Sequence, residues 1–192
     1  DYTHGEFFSG IPGTVGGALA MNAGAFGGET WTHVDEVLTL DRKGNFHRRT
    51  PKEYEIGYRH VQANFLEREL FIGAYFKFEK KIGIKEAALA RIKGLLKKRS
   101  LTQPIGSFNC GSVFRNPEGH YAAQLIESLN LKGFRIGGAI ISEKHANFII
   151  NSDKATSEDV EALIHHIQQK VLEAYKIHLV PEVRMIGQKR SD

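Results

Sequence analysis

The chain has 192 residues, 41% hydrophobic and 25% charged, which suits one or two globular domains with a core of useful size. A formal charge of +4 falls well short of a nucleic-acid-binding arm and is compatible with an anionic small ligand. The single cysteine, Cys110, excludes an intrachain disulfide and points to a reducing compartment, and no apolar run approaches a membrane helix.

The chain starts at Asp1 without a methionine or a visible signal peptide, and reads as a piece whose upstream part lies elsewhere. Its first distinctive stretch is "GIPGTVGGALAMNAGAFGGE", Gly10 to Glu29, with seven glycines in twenty residues and no charge until the last. Gly10, Gly13, Gly16 and Gly17 are spaced G-x-x-G-x-x-G-G, which is neither the dinucleotide fingerprint nor a Walker loop, and no clear strand precedes it. Glycines let backbone N–H groups reach a phosphate unobstructed, and Thr14 and Asn22 add a hydroxyl and an amide. Two interpretations stay open at this point: an uncharged diphosphate cradle, or a tight turn buried in a core.

Further along, a strand is predicted from Val34 to Leu40, a turn over Asp41–Gly44 and a second strand beyond it. "LFIGAYFKFEK", Leu70 to Lys80, is a strand by its aromatic content. A helix starts near Lys85, with Ile84, Ala88, Ile92 and Leu95 on one face and its lysines on a solvated one. "HYAAQLIESLNLKGFR" predicts a short helix ending near Asn130, followed by two short strands, "RIGGAIIS" and "HANFIIN". The clearest helix opens at Thr156, an N-cap with Asp159 three residues on, and carries an apolar stripe of Val160, Leu163, Ile164, Ile167, Val171 and Tyr175. "LVPEVRMIG" closes as a strand. A β-rich half followed by an irregular α/β mixture implies an α+β fold rather than a doubly wound sheet, with domains at 1–80 and 81–192.

Nine histidines show no metal-ligand spacing, and His165 and His166 diverge by about 100° on their helix, so no metal is expected. Cys110 is a bystander thiol or, with a histidine, a nucleophile.

The glycine stretch resembles the FAD-cradling loop of the UDP-N-acetylenolpyruvoylglucosamine reductases, bacterial flavoenzymes of peptidoglycan precursor synthesis. "IGYRH" at 56–60, "GSVFRNPEG" at 111–119 and "LVPEVRMIG" at 179–187 match the same family in the same order, and "AAQLIESLNLKGFRIGGAIISEKHANFIIN" follows its substrate domain. The resemblance implies the C-terminal part of an FAD-binding α+β domain followed by a smaller α+β substrate-binding domain. It implies FAD as cofactor, NADPH as hydride donor, a nucleotide-sugar substrate and a location in the bacterial cytoplasm. No nucleic-acid or membrane partner is implied; the oligomeric state is open, with a monomer favoured.

By the same resemblance, Ser112 is the proton donor, and Arg59 and Glu182 stabilise the enolate-like intermediate. Gly10, Ile11, Pro12, Gly13, Thr14, Gly16, Gly17, Ala18, Asn22 and Gly24 fall on the cofactor loop. Tyr58, Arg115, Asn116, Lys144, His145 and Asn147 fall at substrate positions, Arg115 replacing the family's commoner lysine. The short spacing from Arg59 to Ser112 matches the subtype without the tyrosine-bearing substrate loop. Alternatives are another flavoenzyme of the same fold, or a non-catalytic nucleotide-sugar-binding module. The family's first FAD-domain segment has no counterpart in these 192 residues, so the isolated chain is expected to bind FAD weakly; a stable yellow colour with flavin absorbance after purification would contradict this.

Overall fold

A computed structural model describes residues 2–66 and 68–187. The chain falls into two compact units that divide in sequence between Lys98 and Arg99. Strands and helices are mixed without a regular βαβ repeat, the α+β organisation expected from the sequence.

In the first unit β1 (Tyr2–Thr3) leads through a 3-10 turn to helix α1 (Val15–Met21) and two short strands, β2 (Gly24–Ala25) and β3 (Gly28–Glu29). Then follow β4 (Val34–Asp41), β5 (Phe46–Arg49), β6 (Glu55–Gly57), β7 (His60–Gln62), β8 (Glu69–Phe76) and β9 (Glu79–Lys80). The central antiparallel sheet has the order β5-β4-β8, and β6 and β7 form a hairpin. The alternation in β4 sends Val37 and Thr39 fully inward, where Val37 joins Leu19, Trp31, Val34 and Tyr54 in one core. The β4–β5 turn closes where expected: Asp41 Oδ1 accepts from the N–H groups of Lys43 (2.8 Å) and Asn45 (2.9 Å), and Gly44 takes φ +87°.

The single strand expected over Leu70–Lys80 is two. After Phe76 the Lys77 N–H turns to His33 O at 2.7 Å, and Phe78 joins a ring cluster with His33 and Phe76. The chain then pairs with β1 instead of continuing along β4. Helix α2 (Lys85–Thr102) begins where the periodicity places it, and Ile84, Ala88, Ile92 and Leu95 are its half-buried stripe. The contact division lies within this helix rather than at residue 80, since Arg91 Nη1 reaches the buried Glu6 carboxylate at 3.3 Å.

The second unit contains α3 (Ala122–Ser128), β10 (Arg135–Ile136), β11 (Ala139–Ile141), β12 (Ile149–Asn151) and α4 (Ser157–Tyr175). The three strands form an antiparallel sheet in that order. Leu163, Ile164, Ile167 and Val171 of α4 are buried in a core shared with Val113, Phe114 and Ile126. The capping box is present: Thr156 Oγ1 accepts from Asp159 N (3.1 Å) and Asp159 Oδ2 from Thr156 N (2.9 Å).

Two expectations for this unit are corrected. "RIGGAIIS" is a hairpin, β10–β11, because Gly137 takes φ +52° and a Cβ at Gly137 or Gly138 would collide with Asp159 or the Asp153 carbonyl. "LVPEVRMIG" joins no sheet and bends at Glu182 and Val183; its one bridge pairs Pro181 with Phe114, and the proline has no N–H to carry a ladder onward.

Glu69 anchors the polar side of the first unit's sheet. It is 7% exposed and accepts from Thr39 Oγ1 (2.6 Å) and from Arg49 Nη2 (2.6 Å). Burial alone would raise its carboxyl pKa, but the hydrogen bonds from Arg49 and Thr39 outweigh this and hold it below the usual glutamate value. A lowered folded pKa contributes stability that is complete above the ordinary range and lost as the pH falls through the lowered value. The melting temperature should therefore exceed that of Glu69→Gln at neutral pH, and the gap should narrow in melts below pH 4.5, the ordinary value.

Candidate active site

The glycine stretch folds as a turn that opens α1. Gly10 (φ +79°) and Gly13 (φ +136°) sit in backbone conformations that favour glycine. Pro12, Gly13, Thr14 and Val15 are exposed, Ile11 and Ala18 half-buried, and a Cβ built on Gly13 would meet nothing within 4 Å. Thr14 is the N-cap, its Oγ1 accepting from Gly17 N at 3.1 Å and its carbonyl from Ala18 N at 2.9 Å. That leaves the N–H groups of Val15 and Gly16 as first-turn donors without a helical acceptor. Open backbone donors beside a threonine suit a phosphate oxygen.

Other glycines of the stretch serve packing. A Cβ on Gly16 would lie 3.0 Å from Phe71 O, and one on Gly24 would lie 2.5 Å from Gly28 O. The packed-turn interpretation therefore holds for Gly16 and Gly24, while Gly13 stands open. Asn22, expected to lend its amide to a ligand, is turned inward instead. It is 1% exposed, takes the left-handed C-cap position of α1, donates Nδ2 to Glu29 Oε2 (3.1 Å) and Gly57 O (3.0 Å), and accepts from Trp31 N (3.1 Å).

Through Gly57, Asn22 holds the β6–β7 turn that carries Tyr58 and Arg59. Arg59 sits at φ +52°, half-buried. Its Nη1 donates to Asn22 O (3.2 Å), its Nη2 to Gly24 O (2.8 Å), and its guanidinium lies 5.1 Å from the centre of the Tyr58 ring. Tyr58 is 46% exposed. The glycine stretch and the Tyr58–Arg59 turn are thus one hydrogen-bonded piece.

In the second unit, residues 112–115 run between two partners. On one side Val113 N donates to Asn147 O (2.9 Å); on the other, Glu182 N donates to Val113 O (2.7 Å) and Arg115 N to Val180 O (2.9 Å). Ser112 and Glu182, 70 positions apart, are brought to within a residue of a shared backbone hydrogen bond, and both are half-buried. The Arg115 Nε is buried without a hydrogen-bond partner, although the residue as a whole is half-buried. Asn116 Oδ1 accepts from Ala122 N (3.1 Å) and so caps the start of α3.

Residues 103–186 match the family model of the UDP-N-acetylenolpyruvoylglucosamine reductase C-terminal domain. The chain is 57% identical over 183 residues to the UDP-N-acetylenolpyruvoylglucosamine reductase of Coxiella burnetii, covering 95% of this chain and 57% of that protein. It is 55% identical over 186 residues to that of Legionella pneumophila strain Paris, covering 96% of this chain and 60% of the relative. The crystal structure of the Thermus caldophilus reductase superposes with a TM-score of 0.80 at 34% identity, covering 93% of this chain and 62% of that one. The chain is similar to the UDP-N-acetylenolpyruvoylglucosamine reductases along nearly all of its length, and residues 103–186 carry their C-terminal domain. It spans about three-fifths of the length of the relatives it matches.

Of the substrate positions expected from this reductase family, Lys144, His145 and Asn147 lie on the loop between β11 and β12. Lys144 Nζ donates to Ser100 O, and Ser142 Oγ accepts from the N–H groups of Lys144 (3.1 Å) and His145 (3.3 Å). Burial pushes the His145 imidazole pKa down, and its Nδ1 accepts from Asn147 N at 3.2 Å. The Asn147 side chain, expected at the substrate, is 4% exposed and bonded to the Phe114 backbone instead. Desolvation raises the Cys110 thiol pKa, the opposite of an activated nucleophile.

One residue of this neighbourhood went unrecognised in the sequence. Asn109 Oδ1 accepts from Gly111 N (2.9 Å), and its Nδ2 donates to the Pro104 (3.2 Å) and Ser107 (3.0 Å) carbonyls, which sets the turn entering Ser112. Its signal was the asparagine two places before a glycine, an Asx turn. Among the described residues, no cluster of three or more potential metal ligands occurs, and no helix is long and apolar enough to cross a membrane.

Replacing Asn22 by alanine orphans the Trp31 N–H and the Gly57 carbonyl, each at about 1–3 kcal/mol, and puts a Cβ-bearing residue without a compensating side-chain bond at φ +43°. Asn22→Gly loses the same bonds without the backbone strain. Denaturant melts should show Asn22→Ala as the less stable variant, by about 1 kcal/mol.

Proposed function

We propose that this chain carries the substrate-converting machinery of an NADPH-dependent reductase that turns UDP-N-acetylglucosamine enolpyruvate into UDP-N-acetylmuramate. The observation that carries the proposal is the two-sided bonding of residues 112–115, which ties the backbone just beyond Ser112 to that of Glu182 within the stretch that matches the reductases' C-terminal domain. The first-turn N–H groups of Val15 and Gly16, with the Thr14 hydroxyl, fit the diphosphate of FAD. When bound, FAD supplies the hydride relay between NADPH and the enolpyruvyl double bond.

The remaining work falls to this chain's side chains. A hydride added to the terminal carbon of the double bond leaves an electron pair on the carbon next to the carboxylate, delocalised onto its oxygens. The Arg59 guanidinium offers forked donors to those oxygens as their charge grows. Its two contacts to the Asn22 and Gly24 carbonyls fix its plane beforehand, so orienting it costs little during reaction. Glu182, as a neutral acid or through water, polarises the same carboxylate. The Ser112 hydroxyl gives its proton to the carbon next to the carboxylate and completes the lactyl ether.

A serine hydroxyl is a weak acid, so the alkoxide it leaves needs a positive neighbour or rapid reprotonation. Arg115, three residues along, supplies positive charge to the segment, and with Asn116 it is assigned to the substrate's anionic groups. Lys144 and His145 are the further substrate groups, and Tyr58 lines the site beside Arg59.

Ser112→Ala tests the assignment. In the FAD-loaded protein NADPH should still reduce the flavin at the normal rate, while formation of UDP-N-acetylmuramate falls by about a thousandfold. Undiminished product formation would remove Ser112 from the chemistry, and the absence of any turnover in the unaltered protein would favour a binding module.

A further inference from the structure

Resting on the assignment of Ser112 as proton donor, we propose that Asn147 is a positioning residue that fixes the Ser112 hydroxyl by gripping the backbone just beyond it. Asn147 makes three hydrogen bonds to two successive residues. Its carbonyl accepts from Val113 N (2.9 Å), its Oδ1 accepts from Phe114 N (2.9 Å), and its Nδ2 donates to Phe114 O (2.8 Å). A side-chain amide that both donates to and accepts from one residue's backbone stands in for a neighbouring strand. Only a carboxamide, or a protonated carboxyl group, offers that pairing at this length.

The grip is rigid because its base is closed on itself. Ser142 N donates to Phe148 O (2.9 Å) and Phe148 N to His145 O (3.0 Å). Ser142 Oγ holds the Lys144 and His145 amides, and His145 Nδ1 accepts from Asn147 N. On the other flank of Ser112, Gly111 (φ +83°) is tied to Asn109 Oδ1 at 2.9 Å. Ser112 is therefore the one residue between two asparagine-held points. Val113 also accepts from Glu182 N, so slack in the Asn147 grip displaces the carboxyl group with the hydroxyl. None of this requires Asn147 to touch substrate, and at 4% exposure it is a holder rather than a contact.

Two variants and two kinds of measurement test this. In the chain without added cofactor, Asn147→Ala should lose at least about tenfold in hydrogen-exchange protection at the Phe114 amide, while the amides of α4 keep theirs. In the FAD-loaded protein, the same variant should keep its rate of flavin reduction by NADPH and its substrate KM, and lose up to about a hundredfold in kcat for UDP-N-acetylmuramate formation. Asn147→Asp covers the case in which the alanine variant unfolds. Ionised, the aspartate accepts from Phe114 N but repels Phe114 O; protonated, it restores both bonds. Phe114 protection and kcat, each as a ratio to the unaltered protein at the same pH, should recover together as the pH is lowered.

Unchanged Phe114 protection in Asn147→Ala would overturn the grip. Lost protection with undiminished kcat would overturn the positioning role alone. A fully active Ser112→Ala would instead bring down the assignment of the proton donor, leaving the exchange result standing. If α4 protection collapses in both variants, with no pH recovery in Asn147→Asp, Asn147 is a general stabiliser and the proposal fails.

Discussion

Val113 and Phe114 are each 1% exposed, and their side chains belong to the core of the C-terminal unit. Burying them also buries their peptide groups, which cannot be left without partners. No named strand of the β10-β11-β12 sheet pairs with them. Their partners are the Asn147 side chain and backbone on one side and the Val180–Glu182 segment on the other. That need for partners draws together three segments far apart in the chain. In meeting it, the fold ties the backbone of Glu182 to Val113, the residue that follows Ser112.

The first unit meets a similar demand at the end of α1. The helix stops inside the protein, so the N–H of Trp31 and the carbonyl of Gly57 need partners where water is excluded. Asn22 supplies both, and its left-handed backbone turns the chain toward Gly24. The result is a frame on which the Arg59 guanidinium docks through the Asn22 and Gly24 carbonyls. In each unit a buried asparagine does for the backbone what a missing strand or another turn of helix would do, holding the backbone near Arg59 in one and just beyond Ser112 in the other.

Features set by neighbours in sequence were legible; those set by distant partners were not. The start of α4 could be read from Thr156 and Asp159 because the cap is local, and the stripe of α2 because burial on a helix follows its turn. The β4–β5 hairpin was visible in the Asp41–Gly44 turn. The β10–β11 hairpin was missed because "RIGGAIIS" reads as one strand, and what demands glycine at 137 and 138 is Asp159 and the Asp153 carbonyl, 15 or more residues on. The family motifs located Asn22 and Asn147 but not what they do. Their partners, Gly57 and Phe114, lie 35 and 33 residues away, beyond any periodic pattern. The hydrogen-bonded union of Arg59 with the glycine stretch was hidden for the same reason.

Asp159 also has a second role that reaches past the helix it caps. Besides the Thr156 amide, its Oδ2 accepts from Gly138 N at 3.2 Å across a separation of 21 residues. As the chain leaves the ribosome, the turn at Gly137–Gly138 emerges well before the carboxylate that locks it. The bond to Gly138 N therefore cannot form until Asp159 itself has been made, so the helix supplies the last tie to a turn that precedes it in the chain.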